Sequence, residues 1–268
     1  MLIISSWLGR IGQEIVQLLR TIHIAKQLGH TIIRFPYQTQ NMLNSTEICL
    51  DDSKPDNPQI IKNQFFYITK LGFKDPPPYI MKQYFQQYIR PIFKLNFKEG
   101  VNENVLIHIR SEDMYRTSSP PHPRYLPTPL VYYEYIIDKY YSDKKIIIIA
   151  ADRKDPCINI LCQRPNVEFF SNGSLQEDLE QFTNVKHFVM STGLLDFLMY
   201  LFNDKLETMF MPDYTYHELV QGSYGNNINL HIVKIPDYIK LGEWKYTLEQ
   251  FKTITDYKLP EQVEEIIL

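Results

Sequence analysis

Cysteine is scarce: Cys49, Cys157 and Cys162 are the only three in a chain of 268 residues. An odd, sparse set without a C-x-x-C excludes a disulfide framework, and the Cys157/Cys162 pair lacks the second half of a zinc site. Reduced, buried thiols in a cytoplasmic protein are expected. Positive charge is not in excess either. With 28 Lys+Arg against 31 Asp+Glu the net charge is −3, which argues against a nucleic-acid partner while leaving room for a local basic pocket. Long apolar runs are missing. Met1–Leu8 is interrupted by serines and has no basic flank, so no signal peptide, anchor or membrane span is expected, and the sequons at Asn44 and Asn172 carry little weight. Glycine is thin as well (10 residues), and no full G-x-G-x-x-G occurs.

What remains is ordinary globular material, 44% apolar and 22% charged, enough for a full core in one large or two small domains. Abundant Ile, Asn, Lys and Tyr with few alanines hint at an AT-rich genome, as in a bacterium or virus. Leu2–Ser6 reads as a strand, followed by G-R-I-G (Gly9–Gly12). Then Ile11, Ile15, Leu18, Leu19, Ile22, Ala25 and Leu28 fall on one helix face, stopped by Gly29. Thr31–Phe35 makes a second strand. This β-loop-α-β unit is a half-Rossmann pattern whose helix start offers N–H groups to an anion, although glycines also simply make tight turns. Residues 36–60 read as polar loop, Asn63–Thr69 as a strand, and Pro76–Pro78 opens a helix running to Phe93. The domain boundary falls at 100/101. The domains are then an N-terminal Rossmann-like 1–100 and a C-terminal 101–268, whose last helices could pack back on the first.

The most informative stretch is N-V-L-I-H-I-R-S-E-D, Asn104–Asp113. Val105, Leu106, Ile107 and Ile109 make a buried parallel strand that delivers His108, Arg110, Glu112 and Asp113 to the loop at its carboxyl end, where open α/β sheets bind ligands. A guanidinium there suits a phosphate. The bland alternative is an Arg110–Asp113 ion pair closing a tight turn. Further strands follow at Lys145–Ala151, Val167–Phe170 and His187–Met190. Helices are expected at Leu130–Tyr141, Cys157–Cys162, after the Ser174 cap, at Leu194–Phe202, and in two pieces of Glu243–Leu268 split by Pro260. Three strand ends thus carry anion-binding chemistry: Arg110, Asp152 with Arg153, and Ser191-Thr192-Gly193 ahead of a helix. Asp178 could read donors on a base edge. The proline-rich Met114–Pro129 is too long for a mere connector and reads as a lid or site wall, with Tyr115, Tyr125, Tyr132 and Tyr133 near it offering rings to stack on a ligand.

H-I-R-S-E-D resembles the H-x-R-x-x-D motif of the GDP-fucose-dependent fucosyltransferases, the α1,2-, α1,6- and protein O-fucosyltransferase superfamily. G-R-I-G-Q (Gly9–Gln13) is similar to their N-terminal loop, and Ser174–Gly193 to their donor-binding block. The resemblance implies a GT-B-like α/β fold, two Rossmann-like doubly wound domains facing a cleft, with 1–100 on the acceptor side and 101–268 binding the nucleotide sugar. It implies that Arg110 contacts the donor β-phosphate, and that His108 and Asp178 contact base or sugar. Ser191, Thr192 and Gly193 would hold the pyrophosphate, with Gly9, Arg10, Gly12 and Gln13 opposite. Gln13 replaces the family's asparagine, and G-L-L-D-F replaces its serine- and aromatic-rich run, so the donor sugar is open. Expected is an inverting glycosyl transfer from a GDP-sugar, fucose favoured, to a glycan hydroxyl. UDP- or GDP-linked xylose, galactose or rhamnose stand as alternatives, and so does a non-catalytic nucleotide- or glycan-binding module. No D-x-D occurs, so neither metal nor cofactor is expected. Asp113 and Glu112 are the base candidates, with Asp155 and Glu14 behind them.

Overall fold

The computed structural model describes residues 1–38, 41–115, 123, 125–170, 174–215 and 228–268. Most of the expected lid and the sequon at Asn172 lie outside them. The chain divides into two compact units: Met1–Asn96 with Phe197–Phe202, and Phe97–Asp196 with Asn203–Leu268. The C-terminal tail therefore clusters with the second unit, and the piece assigned to the first is the latter part of one helix.

In the first unit, β1 (Leu2–Ile4) is followed by α1 (Ile11–Leu28) and β2 (Ile32–Arg34). Ile15, Leu18, Leu19, Ile22 and Ala25 are completely buried on the helix's apolar face. Gly29 ends α1 at φ 72°, its N–H reaching the Ala25 carbonyl, a conformation in which a side chain is strained. β3 (Glu47–Cys49) runs antiparallel beside β2, and β4 (Ile61–Asn63) parallel beside β1, giving the order β3-β2-β1-β4. The polar 36–60 stretch thus hides an edge strand. It presents only Ile48 to the core, too weak an alternation to stand out. The strand expected at Asn63–Thr69 ends where it was to begin. The chain turns out of the sheet at Phe65 (φ 55°) and forms a 3-10 turn at Ile68–Leu71.

The long helix expected before the boundary is α2 (Pro78–Tyr84), continued by a π turn (Phe85–Ile89) and a 3-10 turn (Arg90–Ile92). Pro91 has no N–H to donate and its ring crowds the preceding turn, so regular α geometry cannot run through it.

The second unit contains β5 (Asn102–His108), α3 (Leu130–Tyr140), β6 (Ile146–Ile149), α4 (Pro156–Leu161), β7 (Val167–Phe170), α5 (Leu175–Gln181) and β8 (Val185–Val189). These are followed by α6 (Leu194–Phe202), whose latter part clusters with the first unit, and by β9 (Thr208–Pro212), β10 (Asn229–Val233), α7 (Leu248–Asp256) and β11 (Glu265–Ile267). The seven strands lie in the order β11-β10-β9-β8-β5-β6-β7, all parallel except β11. Counted from β5, the six parallel strands follow the 3-2-1-4-5-6 order of a dinucleotide-binding sheet. Val105, Leu106 and Ile107 are fully buried, as a strand covered on both faces requires.

The tail corrects the expectation of two helices, because after α7 the chain adds β11 to the sheet edge. Glu265 makes the difference. Its carboxylate accepts from Tyr135, Lys139 and Tyr140 of α3 and from Nδ1 of His231 on β10. Burial alone would raise its pKa, but these donors hold it down at about 2. Among the described residues no helix is long and apolar enough to cross a membrane.

Candidate functional site

In the 3-2-1-4-5-6 order, the connection leaving β5 crosses toward β6 on one side while β8 lies on the other. The loops after β5 and β8 part there, and that divergence forms the crevice in sheets of this kind. Arg110 follows β5 and Ser191-Thr192-Gly193 follows β8. They meet: the Arg110 backbone N–H donates to the Ser191 hydroxyl at 2.9 Å. The guanidinium lies so close to Gly193 that a Cβ built there would sit 2.3 Å from Arg110 Nη1. Gly193 adopts φ 122°, closed to most side chains. The glycine allows both the turn into α6 and the approach of the arginine.

The guanidinium is fixed on two further sides. Nε and Nη2 donate to the two oxygens of Asp113 at 3.1 and 2.7 Å, and the Tyr125 ring lies under Cζ at 3.6 Å. Burial opposes its charge, but Asp113 and Tyr125 outweigh that and push its pKa above the ordinary arginine value. The ion pair that sequence allowed as a plain turn closure is therefore real, and it also pre-organises the cation. Both Asp113 oxygens are engaged in holding the arginine.

Asp152 acts as a clamp. Its Oδ1 accepts from the Ser111 hydroxyl and from the backbone N–H groups of Glu112 (3.2 Å) and Lys154 (3.1 Å), and its Oδ2 pairs with Lys154 Nζ at 2.9 Å. Burial pushes its pKa up, yet Ser111 and Lys154 draw it below the usual range. It ties the ends of β5 and β6 together beside Glu112, which sits at φ 37°, and so scaffolds the loop that follows β5. Arg153 stacks over Phe169 at 4.3 Å. Asp155 caps α4 through the Cys157 N–H and accepts from the Tyr115 hydroxyl at 2.6 Å. Burial raises its pKa to about 6. With 1% of its surface exposed, it is structural rather than a reserve base. Tyr132 and Tyr133 are fully buried core residues of α3, so of the four tyrosines only Tyr125 and Tyr115 keep exposed surface.

Deeper in the fold is a buried carboxylate–imidazole pair. His108 Nδ1 lies 2.5 Å from Oδ1 of Asp196, which has no exposed surface. Asp178 of α5 lies within electrostatic reach of this pair. Burial raises its pKa to about 6, with His108 opposing the rise, and its buried Oδ1 has no hydrogen-bond partner. Thr192 is buried beside this group in sequence. Asp196 escaped sequence reasoning, although one signal was available: a lone acid inside the otherwise apolar L-L-D-F-L-M-Y-L-F must find a buried partner.

The remaining expected residues belong to the first unit. Gln13 folds back over Gly9 (φ 75°), where a Cβ would collide with its Oε1, and accepts from the Arg10 N–H at 3.3 Å. Gln17 accepts from Leu8 N and donates to the carbonyls of Ser6 and Gln64. Gly12 is buried in the first turn of α1 and Arg10 is exposed. Glu14 is fully buried, a poor place for a base that must meet an acceptor. Among the described residues no cluster of three or more His, Cys, Asp or Glu is arranged to hold a metal ion.

No protein-family model matches the sequence, and no curated protein matches it. Among solved structures, the chain is similar to the iron-containing dodecameric glycosyltransferase TibC from enterotoxigenic E. coli H10407. The TM-score is 0.46 at 12% identity, over 79% of this chain and 57% of that one, so the chain spans little more than half that protein's length.

Proposed function

We propose that the second unit binds the donor of a glycosyltransferase, taking a nucleoside-diphosphate sugar at the β5/β8 divergence. The carrying observation is the Arg110 guanidinium held against Gly193 by Asp113 and Tyr125. Glycosyl transfer leaves charge growing on the β-phosphate as the sugar departs. A pre-set guanidinium and the start of α6 would stabilise that charge without reorganising, the role a metal plays where D-x-D is present. The reaction is read as inverting and metal-independent, with GDP-fucose as the favoured donor on the H-x-R-x-x-D resemblance and a glycan hydroxyl as acceptor. Inversion needs a base. With Asp113 committed to Arg110, that assignment passes to Glu112.

Thermal shift in EDTA against GDP, UDP and their sugars tests this. A nucleoside diphosphate at a hundredfold over its Kd adds about 2.7 kcal/mol, roughly 5–10 °C for a chain of this size. The expected result is such a shift with GDP, its loss in Arg110→Ala, and release of GDP from GDP-fucose on adding a glycan. Response to UDP alone would move the donor to a UDP-linked xylose, galactose or rhamnose. Binding without release would favour a non-catalytic module. Indifference to all nucleotides would refute the reading.

A further inference from the structure

The resemblance that supplies His108, Arg110 and the phosphate loop offers nothing for Asp196, which stands in the run where this chain departs from the family pattern. The structure gives that residue the innermost place in the site. Asp196 has no exposed surface and its Oδ1 meets His108 Nδ1 at 2.5 Å. A carboxylate oxygen only accepts, so the proton of that bond is on Nδ1. No hydrogen bond from the described residues reaches His108 Nε2, and the Phe182 ring packs edge-on at 6.2 Å between centroids. The ring is therefore pinned by one nitrogen while the other is open to an incoming group. Strand alternation puts His108 and Arg110 on the same face of the chain.

We propose that Asp196 is a positioning residue for nucleotide binding: it fixes the tautomer and orientation of His108 so that Nε2 accepts from an N–H of the nucleobase, while Arg110 takes the diphosphate. This rests on the donor-site reading above. The logic is that of a buried carboxylate behind an imidazole, where exchanging acid for amide keeps the shape but permits the wrong tautomer. In Asp196→Asn the amide can donate to Nδ1, moving the proton to Nε2 and turning the ring's open edge from acceptor into donor. A ligand donor would then face a donor.

Two measurements test it. The first is the ¹⁵N shifts of the His108 ring at neutral pH, in wild type and in Asp196→Asn, with melting temperature as the check on folding. The second is calorimetric binding of GDP, UDP and inorganic pyrophosphate. Expected are a wild-type ring protonated at Nδ1, a variant protonated at Nε2, and nucleoside-diphosphate affinity reduced about tenfold or more with pyrophosphate affinity unchanged. A wild-type ring protonated at Nε2 alone overturns the proposal without needing any variant to fold. So does a variant that binds nucleotide like wild type, or one that loses nucleotide and pyrophosphate equally. Should wild type bind no nucleoside diphosphate, the transferase reading falls, and the ring nitrogens still decide whether Asp196 sets the tautomer.

Discussion

Replacing Gly193 by alanine isolates the contact on which the site depends. The new Cβ would lie 2.3 Å from Arg110 Nη1 and 3.5 Å from Cζ. Carbon and nitrogen in contact need about 3.5 Å, so the guanidinium must retreat by roughly 1 Å. The retreat pulls it off the paired 2.7 and 3.1 Å bonds to Asp113. Backbone strain at φ 122° adds about 1–3 kcal/mol, or roughly 2–12 °C in melting temperature. A charge-assisted bond between arginine and phosphate contributes about 2 kcal/mol, so a displaced Arg110 should weaken nucleoside-diphosphate binding roughly 30-fold. Gly29→Ala is the control: its φ is 72°, yet nothing lies within 4 Å of the added Cβ, so it carries strain without the contact. Calorimetry on both variants gives the answer. Gly193→Ala binding nucleotide as tightly as Gly29→Ala would show that the guanidinium's place against this turn does not matter.

Other outcomes follow from the same geometry. Arg110→Lys should fail to restore the turnover lost in Arg110→Ala, because an ammonium can neither fork onto both Asp113 oxygens nor stack on Tyr125; a steady-state assay with recovery near wild type would contradict this. Asp155 has a folded pKa of about 6 against the ordinary aspartate value of 3.8. The folded state binds the proton more tightly, so stability is fullest below pH 4 for this group and declines by about 3 kcal/mol as pH rises to 6. Asp155→Asn should flatten that limb in denaturant titrations, and an unchanged slope would refute the assignment. Glu265, held at about 2, has the opposite sign: its contribution is present above pH 4.5 and lost as pH falls toward 2. Glu265→Gln should therefore destabilise by about 3 kcal/mol at pH 7, with amide exchange rising first in β10 and β11; uniform exchange would argue against a local role.

The sequence by itself determined the elements and the chemistry they carry. The apolar run Val105–Ile107 could only be a strand buried on both faces. The spacing of Ile15, Leu18, Leu19 and Ile22 could only be one face of a helix, and Arg110 had to emerge at a strand's carboxyl end. These are local facts, set by periodicities of two and 3.6 residues and by where charge interrupts them. The tertiary structure decided what those side chains do with one another. Sequence spacing placed Asp113 near Arg110 but did not show that both its oxygens would grip the guanidinium. Asp152 seemed as free as Asp178 until β6 settled beside β5 and the Ser111–Glu112 turn closed on it. Asp196 and His108 are 88 residues apart and share no local pattern. Glu265 joined a strand rather than a helix because four donors on α3 and β10 were waiting for its carboxylate. Buried charges settle only where distant partners satisfy them, and which partners come within reach is fixed by strand order, a property of the whole sheet rather than of any stretch of the chain.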